Sequence, residues 1–342
     1  MSPIKDIHEV RKRCLNQDLF SVETLQWVEQ HDYWNLWVPK KYGGLESTLS
    51  EGLKTLKSLA RIDGSLGWTV TLCSGANYFI GNLRPEVAQE IFVDKHQPVC
   101  FGGSGGVFGT AEKQGENYTI SGTWKYATGA PYLSHFTLNA KIMENGEPVL
   151  DENREPLIRS FVVPRNQVTV HDDWDTMGMK ATATRSFSVN DVVVDPKYSF
   201  LYNRFYHPQL IYKIHFSVFA DLTLWVNYIG MAEHYLEEAS RNLEKCMLTD
   251  LTTTINSANK QVDTFVQQIE HLLNEEKSFS IEFIQQVHET ASRSVKEISK
   301  NIIAIFPLLG IRSCTENTVL NQIFRDYFTA TQHHIFSRKS SE

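Results

Sequence analysis

The spacing of apolar residues changes twice along this chain of 342 residues, near 99 and near 213, and those two changes limit what it can fold into. Before the first change, apolar side chains recur at helical spacing: Val22, Leu25 and Val28 share one stripe, and Leu53, Leu56 and Leu59 another. Between the changes come short β-branched or aromatic runs at 118–120, 136–142, 160–164, 168–171 and 187–194. Turn signals such as Glu144-Asn145-Gly146 and Pro164-Arg165-Asn166 separate them. After the second change helical spacing returns at 222–243 and continues around 256–274, 280–305 and 316–334. Helices and strands segregated along the chain predict an α+β protein. Its parts are a helical region 1–98, a β-barrel or sandwich 99–212 and an antiparallel helical bundle 213–342.

Local signals refine this outline. Ser50 is the expected N-cap of the helix carrying Leu53, and Asp63-Gly64-Ser65 is a turn and cap before an apolar helix. Pro85 suits a first helical turn. Gly230 sits inside a helical pattern, where it costs about 1 kcal/mol against Ala, and so marks close helix packing. Residues 249–254 read as a connection.

Composition removes several classes of function. A net charge of -7 argues against a general nucleic-acid binder. No apolar run is long enough to cross a bilayer, and the first residues lack the apolar core of a signal peptide. The 5 cysteines are scattered, with no CxxC, which fits a cytoplasmic setting and gives no thiolate metal site.

The stretch richest in chemistry is 100–129. It opens with Gly102-Gly103-Ser104-Gly105-Gly106, read as a loop, then strand-like residues 118–120, a turn at Ser121-Gly122, and Trp124-Lys125-Tyr126-Ala127-Thr128. These residues alone allow two readings. One is a β-hairpin with a flexible leading loop; the other is a holder for a planar, polar cofactor, with close backbone approach at the glycines and flat aromatic surfaces beside them.

Four stretches carry a family resemblance. The first is Pro39-Lys40-Lys41-Tyr42-Gly43-Gly44 followed by Ala60-Arg61-Ile62-Asp63-Gly64-Ser65-Leu66-Gly67-Trp68; the second is Ser121-Gly122-Thr123-Trp124-Lys125-Tyr126-Ala127-Thr128-Gly129. The third is Trp174-Asp175-Thr176-Met177-Gly178-Met179-Lys180-Ala181-Thr182 running into Val189-Asn190-Asp191-Val192-Val193-Val194; the fourth is Leu320-Asn321-Gln322-Ile323-Phe324-Arg325-Asp326. In this order and at these spacings the chain resembles the acyl-CoA dehydrogenase superfamily over essentially its whole length. It is most similar to the two-component flavin-dependent monooxygenase branch. Members of that branch take reduced flavin from a separate reductase and hydroxylate aromatic or heteroaromatic small molecules.

The resemblance implies an N-terminal helical domain (1–98), a middle β-barrel (99–212) and a C-terminal helical bundle (213–342) in a cytoplasmic homotetramer. A flavin, FAD or FMN, would lie between barrel and bundle. By the same resemblance Tyr126 lies against the isoalloxazine and Thr128 near its N5, where a hydroxyl can donate or accept. Phe101, Gly102, Gly103 and Ser104 match the loop along the pyrimidine edge.

Departures from the family pattern bear on chemistry. A dehydrogenase of this superfamily needs a carboxylate at the substrate α-carbon. Its glutamate commonly stands eight residues past the Arg-Asp pair, where this chain has His334; the monooxygenase branch has a histidine at the seventh position, here His333. An imidazole can take or give a proton near neutrality, as oxygen chemistry and phenolic substrates require. The bundle's Arg-x-x-Phe-Gly-like motif is absent from Arg241-Asn242-Leu243-Glu244-Lys245-Cys246-Met247, which leaves FAD against FMN open. Asn77 stands near a position where the monooxygenases often have a histidine, and the C-terminal substrate-covering segment is expected to be abbreviated. Two other readings remain. One is an acyl-CoA dehydrogenase with a relocated base, for which Glu233, Glu237 and Glu238 are candidates; the other is a non-catalytic scaffold.

Overall fold

The structure is a computed structural model and describes residues 7–94 and 97–337. Five helices come first: α1 (Ile7–Cys14), α2 (Val22–Gln30), α3 (Leu49–Ile62), α4 (Gly64–Asn77) and α5 (Pro85–Gln89). Strands follow: β1 (Phe101–Gln114), β2 (Asn117–Ala127), β3 (His135–Glu144), β4 (Glu147–Pro148), β5 (Ile158–Pro164), β6 (Thr169–Val170), β7 (Arg185–Val194) and β8 (Ser199–Phe200). The chain then forms α6 (Phe216–Ala239), α7 (Thr249–Asn274), α8 (Ile281–Ile305), α9 (Ile311–Cys314), α10 (Val319–Ala330) and α11 (His334–Ser337).

Helix α3 starts at Thr48, not at Ser50, because Glu51 lies three residues on and completes a capping box. Thr48 Oγ1 accepts from the Glu51 N–H, and the Glu51 carboxylate accepts from the Thr48 N–H. Its leucine stripe packs on α4 and α6. Gly230 is required where α6 crosses α3, since a Cβ there would lie 2.3 Å from the Lys57 carbonyl oxygen. Asp63 caps α4 through the Leu66 N–H at 2.9 Å. That helix is apolar nearly all round because it is buried nearly all round, between α3, α6, α10 and β1. In the bundle, residues 249–254 are the first turns of α7 and not a connection, their polar side chains facing outward around buried Leu251.

The sheet runs β6-β7-β2-β1-β3-β5-β8, with β4 added beside β3. Neighbours are antiparallel except β1 and β3, which are parallel. The expected closed barrel is therefore an open sheet. Its edge strands β6 and β8 are two residues long, and each pairs with one neighbour only, so nothing joins the edges. The expected Ser121-Gly122 turn is also not a turn. Strand β2 runs straight through it, with a register shift against β7 between Ile120 and Gly122. The glycine-rich segment 102–106 belongs to β1. Position 103 must be glycine: a Cβ on Gly103 would lie 1.7 Å from the Thr137 carbonyl of β3. The sheet is filled by Trp124, Phe136, Phe161 and Phe187, with Trp124 and Phe187 stacked at 5.5 Å.

Candidate functional site

The site starts where β1 and β2 emerge beside α4. Asn77, at the end of α4, is fully buried and clamps this region: its amide donates to Asn35 Oδ1 (2.7 Å) and the Val99 carbonyl (2.9 Å), and its oxygen accepts from the Phe101 N–H (2.7 Å). Asn77 is thus a brace for the start of β1, and its buried amide is not open to a ligand as an acid–base group would be. Phe101 is core, its ring packed on Phe92 and His135. Gly102 is buried with it, and Gly103 and Ser104 are half-exposed. Ser104 ties the glycine segment to β2, donating to the Lys125 carbonyl at 2.9 Å and accepting from the Gly106 N–H at 3.3 Å. Beyond Lys125, Tyr126 is 44% exposed, with Trp174 edge-on at 5.8 Å, and on β1 Phe108 is 56% exposed. These flat faces, open to solvent on a rigid strand pair, suit a planar aromatic group.

Thr128 follows, almost buried, and its hydroxyl begins a chain of three. Thr128 Oγ1 lies 3.1 Å from Thr184 Oγ1, which lies 2.8 Å from Thr182 Oγ1, which donates to the Met179 carbonyl at 2.7 Å. The Thr128 carbonyl accepts the Cys73 thiol of α4 at 3.7 Å. Met179 and Ala183 bound this loop in left-handed backbone, φ 55° and 43°, which costs a non-glycine residue roughly 1–2 kcal/mol each. Strong contacts hold Met179 there. Its N–H donates to Asp326 Oδ1 at 2.5 Å, and its carbonyl also receives Trp174 Nε1 at 3.0 Å. Gly178 lets the loop touch α10; a Cβ there would lie 2.3 Å from the Arg325 carbonyl.

The Arg325-Asp326 pair is not an exposed ion pair. Arg325 donates to Asn321 Oδ1 (2.8 Å), the Met177 carbonyl (2.7 Å) and Asn16 Oδ1 (3.2 Å). Asp326 is buried near Asp63, and one Gln322 amide donates to both carboxyls, at 3.4 and 2.7 Å. Burial pushes both carboxyls above their usual range, and the Asp326 charge pushes Asp63 further. Past the end of α10, the half-buried His333 stands edge-on to Trp68 of α4 at 5.4 Å, and its Nδ1 accepts from the Ile335 N–H at 3.5 Å. Trp68 touches Tyr228 of α6, whose hydroxyl donates to the Ala330 carbonyl at 2.6 Å. The side chain of His334 lies outside the described residues.

Helix α4 therefore stands behind both halves of the site, Cys73 against Thr128 and Trp68 against His333. The three glutamates of α6 belong elsewhere. Glu233 is bound by Asn259 and Lys57, Glu238 by Arg241, and Glu237 by Arg11 in two bonds, which with nearby Arg61 hold its carboxyl down at about 2. They lie five to ten residues past Tyr228, which at 1.5 Å per residue is about 7 to 15 Å along the helix.

Sequence reasoning missed several groups. Thr182 and Thr184 were invisible because their partner Thr128 is more than fifty residues away. Asp221 and His288, far apart in the chain, pair at 3.1 Å; burial raises the Asp221 carboxyl to about 6 although the imidazole opposes the shift. His288 also packs at 6.0 Å against Phe336, which touches Tyr228. Two hollows, of about 400 and 670 Å³, lie against α8 and at the start of α6, and neither is lined by Tyr126, Thr128 or His333. Among the described residues no helix is long and apolar enough to cross a membrane, and no cluster of three metal-ligating side chains occurs.

Comparison with known proteins adds a family match, related sequences and related structures. Residues 224–338 match the model of the acyl-CoA dehydrogenase C-terminal domain. Indole-3-acetate monooxygenase of Pseudomonas putida is 27% identical over 285 residues, 82% of this chain and 68% of that one. Against the enzyme of the same name from Acinetobacter baumannii, 27% identical over 201 residues, the chain spans about half the relative's length (49%). The oxygenase subunit HsaA of a flavin-dependent monooxygenase from Mycobacterium tuberculosis H37Rv is 20% identical over 95% of this chain and 88% of its own. The crystal structure of an HsaA monooxygenase from M. tuberculosis superposes with a TM-score of 0.87 at 18% identity, covering 96% of this chain and 92% of that one. XiaF from Streptomyces sp., in complex with FADH2 and glycerol, superposes with a TM-score of 0.85 at 18% identity over the same shares. The chain has the acyl-CoA dehydrogenase-like fold, helical at both ends around a central open sheet.

Proposed function

We propose that this chain is the oxygenase component of a two-component flavin-dependent monooxygenase. It receives reduced flavin, FAD or FMN, from a separate reductase and hydroxylates a small aromatic molecule. The observation that carries this reading is that Thr128 and His333 both pack against α4, the first through Cys73 at the end of an open aromatic strand, the second through Trp68. Tyr126, Thr128 and the Gly103–Ser104 backbone would hold the flavin. When bound and reduced, a flavin supplies the two electrons by which one atom of dioxygen enters the substrate and the other leaves as water. The protein's part is to orient, to exclude water and to move protons. Trp68, Tyr228 and Phe336 form an apolar wall beside His333. With Nδ1 accepting from the Ile335 N–H, a neutral His333 ring carries its proton on Nε2.

The relocated-base dehydrogenase has less support, because Glu233, Glu237 and Glu238 are each engaged at the far end of α6. We also take the molecule to be a homotetramer, with the parts 1–98, 99–212 and 213–342 as its domains. Ile303, Leu308 and Ile311, 55%, 54% and 80% exposed along α8 and α9, are apolar surface suited to another copy.

The test is turnover of protein supplied with chemically reduced flavin, oxygen and a panel of phenols and indoles. His333→Ala should lower hydroxylation by about 10²-fold, the usual loss for one acid–base group, with flavin affinity unchanged. Bleaching of bound flavin by acyl-CoA thioesters, without hydroxylation, would instead establish the dehydrogenase. Protein that takes up no flavin in either redox form would establish the scaffold.

A further inference from the structure

The three hydroxyls behind Thr128 have a direction, which follows from counting hydrogens. A hydroxyl has one hydrogen to donate and two lone pairs to accept with. The chain ends on the Met179 carbonyl, which can only accept, so Thr182 must donate to it. With that hydrogen committed, the 2.8 Å contact between Thr182 and Thr184 forms only if Thr184 donates. The Thr184 hydrogen is then committed too, and the 3.1 Å contact with Thr128 forms only if Thr128 donates inward. Thr128 is left with no hydrogen to offer a ligand, only lone pairs.

We propose that Thr182 and Thr184 are positioning residues that make Thr128 a hydrogen-bond acceptor toward the cleft, so that the site discriminates in favour of a reduced flavin. This rests on the reading above that a flavin lies at Thr128. The chemistry is a matter of matching polarity. A reduced isoalloxazine carries a hydrogen on its central ring nitrogen, N5, and donates; the oxidised ring has a bare nitrogen there and accepts. An acceptor threonine satisfies the first and faces the second with lone pair against lone pair. The relay is well placed to hold that polarity. Thr182 is fully buried and Thr128 and Thr184 are each 8% exposed, so water has little access to reverse it. Its anchor is fixed on both sides, since the Met179 N–H is held by Asp326 while its carbonyl also receives Trp174. Thr128 alone, with a freely turning hydroxyl, would serve either redox form.

The experiment measures the dissociation constants of oxidised flavin in air and of dithionite-reduced flavin under argon, and takes their ratio. In Thr184→Val the Thr128 hydrogen loses its inward acceptor and is free to turn outward. In Thr182→Val the Thr184 hydrogen loses its acceptor, so Thr184 can donate to Thr128 and the relay reverses. Both variants should lower the ratio by about 5- to 10-fold, the worth of one hydrogen bond. Thr184→Ser keeps the hydroxyl and should keep the ratio. By the same thermodynamic cycle, the midpoint potential of the bound flavin should fall, by about 30 mV for a tenfold change in a two-electron couple. Circular dichroism confirms that each variant is folded, and two separate variants guard against loss of either one. Thr128→Val separates the two ways of failing. If Thr128→Val changes the ratio and neither relay variant does, the relay is overturned while the flavin site stands. If Thr128→Val changes nothing either, or no form of flavin binds, the proposal falls together with the reading it rests on.

Discussion

Replacing Asn77 by Asp tests the brace at the base of the site with almost no change of shape. The side chain keeps its acceptor for the Phe101 N–H but loses both donors, and a carboxylate oxygen comes to face the Val99 carbonyl and Asn35 Oδ1, at contacts now 2.9 and 2.7 Å. Asn77 is fully buried, so the charged form is disfavoured by desolvation and by two facing acceptors. A fully buried carboxyl rises by about 3 to 5 pKa units, and each unit is about 1.4 kcal/mol. The sign follows from linkage. The folded variant binds a proton that the unfolded chain releases above the ordinary carboxylate range near pH 4, so folding is penalised more as pH rises. Relative to the wild-type chain the penalty should be small near pH 4, grow by about 1.4 kcal/mol per pH unit, and reach about 4 kcal/mol at pH 7. Urea unfolding followed by tryptophan fluorescence at several pH values, variant minus wild type, reads this directly. A difference that does not change with pH, or one below about 1 kcal/mol at pH 7, would refute the reasoning and place Asn77 at a wet surface facing the cleft.

Two further outcomes are expected. The Asp63 and Asp326 carboxyls are both raised by burial, so the folded protein holds more protons than the unfolded chain above about pH 4 and loses stability as pH climbs through neutrality; Asp63→Asn, which can still cap α4, should flatten the melting temperature against pH, and parallel curves for variant and wild type would reject this account. Sedimentation velocity at micromolar concentration should give a tetramer, and a stable monomer would remove the oligomer from the reading.

Elements were legible wherever one local rule acted alone. Asp63 ahead of an apolar run gives α4, Pro85 opens α5, and Gly230 marks the crossing of α6 on α3. Failures came where two local rules competed or where pairing decided. Ser50 and Thr48 both cap well, and the glutamate three residues on selects Thr48. Glycines usually break strands, yet Gly102 to Gly106 stay extended within β1, and at Gly103 β3 lies so close that only glycine fits. Ser121-Gly122 reads as a turn, and pairing with β7 on one side and β1 on the other keeps it straight. Whether a sheet closes is set by its two end strands, and two-residue strands such as β6 and β8 leave almost no sequence signal.

The site divides along the same line, and the Met179 peptide shows why. Thr128, Tyr126 and His333 lie in motifs whose spacing is visible along the chain. What would make them act is not, because it is assembled across the fold at one peptide group. The Met179 N–H is held by Asp326 of α10, and its carbonyl anchors both Trp174, the edge-on neighbour of Tyr126, and the hydroxyl relay to Thr128. The helix that fixes this anchor also ends three residues before His333. Any shift of α10 against the sheet therefore moves the aromatic face, the polarity of Thr128 and the imidazole together. This gives the buried Asp63–Gln322–Asp326 cluster a physical purpose despite its desolvation cost. It binds α4, α10 and the 174–184 loop together, through Asp63 at the start of α4 and Gln322 and Asp326 on α10. A leucine at 326 would fill the same space, but nothing would then receive the Met179 N–H, and the left-handed backbone at that residue would lose the contact that holds it.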